Sequence, residues 1–174
     1  MLRLPNCLAS LILVLVAASF AHSADEWPQF RGPGGQGHAD ATGLPLTWSE
    51  SKNVTWKTAI PGRGHSSPVI SGNQIWLLTA KIEKLSPEEV KARLAKLKNS
   101  NGLSVGGRVS LIAVCVDRKN GKVTRQIPLL TTEEPEPIHT LNSYASPTPV
   151  IEGNKLYCHF GTYGTVCLNT DTDK

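Results

Sequence analysis

The amino-acid sequence predicts an all-β protein of short antiparallel meanders, with one helix inserted between two strands. Three observations lead there. A strand-turn-strand unit occurs twice, as Pro68 to Trp76 (PVISGNQIW) and Pro149 to Tyr157 (PVIEGNKLY), identical at five of nine positions at an offset of 81 residues. A second pair, Val114 to Lys122 (VCVDRKNGK) and Val166 to Lys174 (VCLNTDTDK), repeats at an offset of 52, so the first unit carries 29 extra residues. The apolar runs between turns are short and rich in β-branched and aromatic residues, the composition of strands.

The first element is not part of that fold. Arg3 precedes an uncharged run, Leu8 to Ala18, that is too short to cross a bilayer and is followed by the small-residue site Ala21-His22-Ser23. Residues 1–23 read as a signal peptide cleaved after Ser23, the alternative being an uncleaved anchor helix. Cys7 precedes the run and has no lipoprotein cleavage box around it, so a lipid anchor is not expected. The expected product is exported, periplasmic or extracellular, and has no stable membrane span.

Residues 24–174 hold the repeats. Val69-Ile70 and Ile75 to Leu78 flank Ser71-Gly72-Asn73, two strands joined by a tight turn. The extra residues form a helical insertion placed at 81–107. In it, Ser86-Pro87-Glu88-Glu89 combines an N-cap, a proline at the first helical position and a capping-box glutamate. Leu85 can staple onto Val90, and Val90, Leu94 and Leu97 form one apolar stripe. Lys91, Arg93, Lys96 and Lys98 read as a solvated face that complements the helix dipole rather than as an anion site.

Asp117 to Gly121 turns the chain into a fourth strand, Lys122 to Ile127, with Asn120-Gly121 as a type I′ signal. The second unit runs through Val150-Ile151, the Gly153-Asn154 turn, Leu156 to Phe160, a turn at Gly161 to Gly164, and Thr165 to Leu168. A weaker echo sets Asn53-Val54-Thr55-Trp56-Lys57 against Lys122-Val123-Thr124-Arg125-Gln126, a strand that would finish each unit.

Composition bounds the function classes. The 174 residues are 40% hydrophobic and 18% charged, which fits a packed soluble domain rather than disorder. Removing the signal peptide leaves a charge of only about +3, too weak to point to nucleic acid.

With the Asp117 to Lys122 turn and the two Pro-Val-Ile-x-Gly-Asn segments in place, the chain resembles the PQQ-like β-propeller repeat family. The opening Trp27-Pro28-Gln29-Phe30-Arg31-Gly32-Pro33, with Gly43 to Leu46 and Trp48, is similar to the start of exported bacterial members. The resemblance implies a propeller of four-stranded blades. About two are present, whereas closure takes about four to eight, so the sequence reads as the N-terminal part of a longer propeller. Arg125 stands where the family often has a closing Trp, and the second unit lacks the glycine of its last turn. The family includes quinoprotein alcohol dehydrogenases and an outer-membrane assembly lipoprotein. Pyrroloquinoline quinone and calcium are therefore conceivable cofactors of a longer form, with none assignable to the residues present.

Individual residues offer little chemistry. The adjacent Cys-Cys pair of the quinone enzymes is missing. Asn169-Thr170-Asp171-Thr172-Asp173 approaches the spacing of a calcium loop, but Lys174 stands where glycine is needed. Arg31 to His38 is glycine-rich without a preceding strand or following helix, so it reads as a loop and not a phosphate cradle. Cys158, His159 and Cys167 do not suit zinc, because adjacent strand residues point to opposite faces. His65-Ser66-Ser67 and His139 lack a nucleophile elbow.

Three cysteines follow the signal peptide, Cys115, Cys158 and Cys167. If Thr162-Tyr163 forms a two-residue turn, Cys158 faces Cys167 at a non-hydrogen-bonded pair and a disulfide is expected between them. Cys115 faces Leu77 and stays a buried thiol. The alternative is that all three are small packing residues. The expected function is an extracytoplasmic binding or scaffolding module with an unspecified protein or small-molecule ligand. The alternative is a quinone-dependent alcohol dehydrogenase whose active site lies outside this chain.

Overall fold

The computed structural model describes residues 26–174; the signal-peptide segment lies outside the described residues. Strands β1 (Val69–Ser71), β2 (Gln74–Ile82), β4 (Val109–Asp117) and β5 (Val123–Thr132) form a four-stranded antiparallel sheet in the order β1-β2-β4-β5. Strands β7 (Val150–Glu152), β8 (Lys155–His159) and β9 (Thr165–Asn169) form a three-stranded antiparallel sheet. Helix α1 (Pro87–Leu94) and strand β3 (Leu103–Ser104) lie in the excursion between β2 and β4. Strand β6 (Ile138–His139) pairs with β3 to make a small third sheet. The protein is therefore mostly antiparallel β-sheet with one α-helix.

The two repeat offsets hold at the level of single hydrogen bonds. In the first unit Asp117 N–H donates to Lys122 O, Gly121 N–H to Asp117 O and Arg118 N–H to Asn73 O. In the second, Asn169 N–H donates to Lys174 O, Asp173 N–H to Asn169 O and Thr170 N–H to Asn154 O. Every partner is displaced by 52 or 81 residues. Asp117 Oδ1 accepts from the Lys119 and Asn120 amides, and Asn169 Oδ1 accepts from the Asp171 and Thr172 amides. Each turn is thus closed by a side-chain oxygen on its own backbone, as Asp and Asn do in Asx turns. Asp173 takes the left-handed conformation (φ 60°) at the position where the first unit has Gly121.

This geometry corrects the type I′ expectation. In the first turn only Gly121 has positive φ, Asn120 being absent from the left-handed region, and the loop is held by Asp117 instead. The fourth strand is also longer than Lys122 to Ile127, reaching Thr132. Asn53 to Lys57 is not a strand; it runs as irregular chain across the four-stranded sheet.

The α1 capping box forms as expected: Ser86 Oγ accepts from Glu89 N–H and the Glu89 carboxylate accepts from Ser86 N–H at 2.8 Å. Those hydrogen bonds, the backbone one foremost, hold the Glu89 carboxyl below its ordinary value. The helix ends at Leu94, so Leu97 falls in the following turn rather than extending the stripe. β2 runs on to Ile82, so the excursion begins slightly later than residue 81.

Both faces of the four-stranded sheet are covered. On one, Val69, Trp76, Leu78, Ala80, Leu111, Ala113 and Cys115 share a continuous core with Ile151, Leu156, Cys158, Phe160 and Leu168 of the three-stranded sheet. On the other, Ile112, Val114 and Val116 are covered by Trp56 and Ile60. Alternation along β4 sends successive side chains into the two cores, which is why the strand is apolar nearly throughout. The N-terminal segment ties the two sheets at their first strands: Trp27 exchanges both backbone hydrogen bonds with Ile70, and Pro28 O accepts from Ile151 N–H. Ile70 and Ile151 are repeat equivalents. Trp27 packs so closely over Gly32 that a Cβ there would lie 2.5 Å from its ring.

Candidate functional site

The strands β2 and β4 have two unlike ends. One carries the turns Gly72-Asn73 and Asp117 to Gly121, and the other carries the excursion with α1 and β3. The turn end is polar. Asn73, Gln74, Cys115, Asp117, Thr124 and Arg125 line an open cleft of about 340 Å³. A neighbouring depression is formed by Gly72, Asn73, Arg118 and Lys119.

The groups in this cleft are engaged with one another. The Asn73 side-chain amide donates to Asp117 Oδ2 at 2.7 Å, and Asn154 repeats the contact with Asp171 Oδ2 at 3.0 Å. Partial desolvation works to raise the Asp117 carboxyl, yet the Asn73 amide and the Asn120 and Lys119 N–H groups outweigh it and hold the group below its ordinary value. Arg125 spans the cleft floor. Its guanidinium lies 4.5 Å from the centre of the Trp76 ring, donates to Thr170 O, and pairs with Asp173 Oδ1 at 2.8 Å.

At the other end β3, in the excursion between β2 and β4, pairs through Leu103 with His139 of β6, which lies in the connection from β5 to β7, and Arg63 donates to Thr140 O at 2.7 Å. Tyr144 OH donates to Glu136 O, while Tyr163 OH accepts from Glu136 N–H. Burial pushes the Tyr144 phenol up to about 12. A second apolar groove, of about 620 Å³, lies beside α1 between Leu85, Val90 and Leu94.

The structure separates the cysteines that the sequence brings together. In the β8-β9 hairpin, Cys158 stands opposite Val166 and Cys167 opposite Tyr157. The reason is the loop: Gly161–Tyr163 forms a 3-10 turn of three residues closed by Phe160 N–H on Gly164 O, and an odd loop shifts the register by one. Cys158 therefore points into the core while Cys167 is exposed on the other face, and both are free thiols. The same shift puts Cys115 opposite Trp76 rather than Leu77. Cys115 is a buried free thiol as expected. Burial, with Cys167 nearby as a lesser cause, pushes the Cys158 thiol up to about 12.

The remaining candidates are spent on structure. Ser66 Oγ accepts from Leu78 N–H, and the His65 and Ser66 amides both donate to Ala145 O. His139 Nδ1 accepts from Leu141 N–H, and His159 Nδ1 lies 2.9 Å from Thr165 Oγ1. In the glycine-rich loop the amides of Gly35 and Gly37 turn onto Gly32 O and Arg31 O. Among the described residues no group of three or more His, Cys, Asp or Glu side chains is placed to hold a metal ion. The structure places Trp56 and Arg125, aligned in the weak third echo, each with a side-chain N–H on a turn carbonyl, Arg118 O and Thr170 O.

Among the described residues no helix is long and apolar enough to cross a membrane. Comparison with known protein families and with curated proteins finds no match for this chain.

Proposed function

We propose that the two sheets are consecutive blades of a PQQ-like β-propeller, and that the protein is an exported, non-catalytic module that binds or scaffolds a partner. The observation that carries this reading is the repetition of the turn hydrogen bonds at the two sequence offsets, which makes the sheets copies of one unit packed face against face. Repeat stacks of this kind expose their variable segments at the strand ends, where ligands are recognised. Here those segments are the α1 excursion and the Glu133 to Asn142 connection, joined by the β3-β6 pairing.

The non-catalytic part of the proposal is supported by the engagement of Ser66, His139, Asp117 and Asn73 in structural hydrogen bonds. The test is titration with pyrroloquinoline quinone and calcium, following quinone absorbance and dye-linked alcohol oxidation. Neither signal is expected. Cofactor binding with alcohol-dependent dye reduction would replace this reading with the oxidoreductase one. Export is tested separately: mass spectrometry of the mature product is expected to give an N-terminus near Ala24, and an intact Met1 on a membrane-bound product would overturn it.

A further inference from the structure

We infer that Arg125 is a salt-sensitive latch that locks the three-stranded sheet onto the four-stranded one, in the role that Trp56 performs, without charge, at the preceding joint. The inference rests on the repeat and does not need the ring to close.

The two residues sit in matched sockets. The Trp56 indole N–H donates to Arg118 O at 2.9 Å, and its ring lies against Gly121. Arg125 Nη1 donates to Thr170 O. Arg118 and Thr170 are repeat equivalents, 52 residues apart and each the second residue of its turn, so one planar N–H donor enters each turn at the same carbonyl. Thr58 Oγ1 secures the first joint further by donating to Gly121 O. At the second joint the extra contact is ionic, from Arg125 to Asp173 Oδ1.

A guanidinium can replace an indole here because it is flat and stacks. Arg125 lies over Trp76, whose ring is fully buried, and its Nη2 is 3.7 Å from Cys115 Sγ. Arg is the cation suited to such a place, being planar, weakly hydrated and permanently charged. Of the two equivalent thiols, Cys115 lies in the shared core with Arg125 against it and is buried, while Cys167 is exposed.

The two joints should therefore respond differently to salt. The Arg125 side chain is 22% exposed and that of Asp173 45%, so mobile ions reach the pair. The Trp56 indole itself makes a neutral hydrogen bond to Arg118 O, which mobile ions do not screen.

Hydrogen exchange read by mass spectrometry on the whole chain compares amides of the 169–174 turn with those of the 117–122 turn. Raising salt from about 0.02 M to about 0.5 M should speed exchange in the 169–174 turn more than in the 117–122 turn. Arg125→Ala should speed it by at least about tenfold, since hydrogen bonds from a charged group are lost. Arg125→Trp, which supplies the group found at the matched socket, should restore protection and abolish the salt response. Wild-type protection in Arg125→Ala, or an equal salt response of the two turns, would end the latch. Arg125→Trp exchanging as fast as Arg125→Ala would end the equivalence of the sockets. Should Arg125→Ala fail to fold, the salt comparison and Arg125→Trp still decide.

Discussion

Substituting Gly121 and Gly153 by alanine separates backbone strain from the packing of one unit on its neighbour. Both glycines lie in the left-handed region, at φ +73° and +56°, so an added Cβ strains each by about 1–2 kcal/mol. Their surroundings differ. A Cβ at Gly153 meets nothing within 4 Å, whereas one at Gly121 would lie 2.6 Å from the Trp56 ring and 2.8 Å from Thr58 Oγ1. Carbon atoms settle at about 3.5–4.0 Å, so the ring must withdraw by about 1 Å. Withdrawal breaks the indole bond to Arg118 O, about 1 kcal/mol, and loosens the cover over Ile112, Val114 and Val116 by about 1–2 kcal/mol more. Gly121→Ala should then cost about 3–5 kcal/mol and Gly153→Ala about 1–2 kcal/mol. Urea unfolding followed by tryptophan fluorescence measures both. In a Trp56→Ala background the ring clash is gone and only the Thr58 Oγ1 contact remains, so Gly121→Ala should cost less than it does in the wild-type protein. Equal midpoints for the two single variants would refute the docking of Trp56 onto the Asp117 to Gly121 turn.

Other outcomes follow from burial and hydrogen bonding. Alkylation of the native mature protein should label Cys167 alone, with Cys115 and Cys158 reacting only after denaturation; a protected Cys167 in unreduced protein would restore the disulfide. The unfolded Cys158 thiol ionises near 9.0 and the folded one near 12, so the native state holds the proton more tightly and stability should fall as pH rises through that window in alkaline unfolding curves. Leu156→Ala, at a fully buried position in the shared core, should cost about 2–5 kcal/mol, whereas Leu46→Ala, at a position 95% exposed, should stay within about 0.5 kcal/mol by the same urea assay. Ser86→Ala should cost about 1 kcal/mol and raise amide exchange across α1 while leaving the two larger sheets unchanged.

Much of the fold is legible in the residues because its signals are local. Proline, glycine and asparagine mark the β1-β2 and β7-β8 turns, and the capping box marks the start of α1. Register is where the reading fails. Whether Gly161 to Gly164 encloses two or three loop residues depends on a 3-10 turn that the composition does not dictate, and one residue of difference moves Cys167 to the opposite face from Cys158. The β3-β6 pair is illegible for another reason. Each strand is two residues long, and the two lie in separate segments, β3 between β2 and β4 and β6 between β5 and β7, so no periodicity develops in either. The weak echo at Asn53 to Lys57 aligns Trp56 with Arg125, whose N–H groups reach Arg118 O and Thr170 O, without forming a strand. The side chain that enters the turn is what repeats, and the surrounding backbone is free to differ.

The same distinction bears on where recognition resides. Equivalent positions of a repeat share backbone geometry, but their burial can differ, as Cys115 and Cys167 demonstrate. Positions common to both units therefore serve the turns and the packing of one sheet on the next: Asp117 and Asn169, Asn73 and Asn154, Ile70 and Ile151 all spend polar groups on the fold itself. In the binding role proposed above, specificity would come from residues that only one unit possesses. The largest such set is the α1 excursion, whose apolar groove is flanked by Lys91 and whose β3 pairs with β6. Because β6 lies in the connection from the four-stranded sheet to the three-stranded one, its pairing with β3 ties that connection to the α1 excursion and so shapes that end.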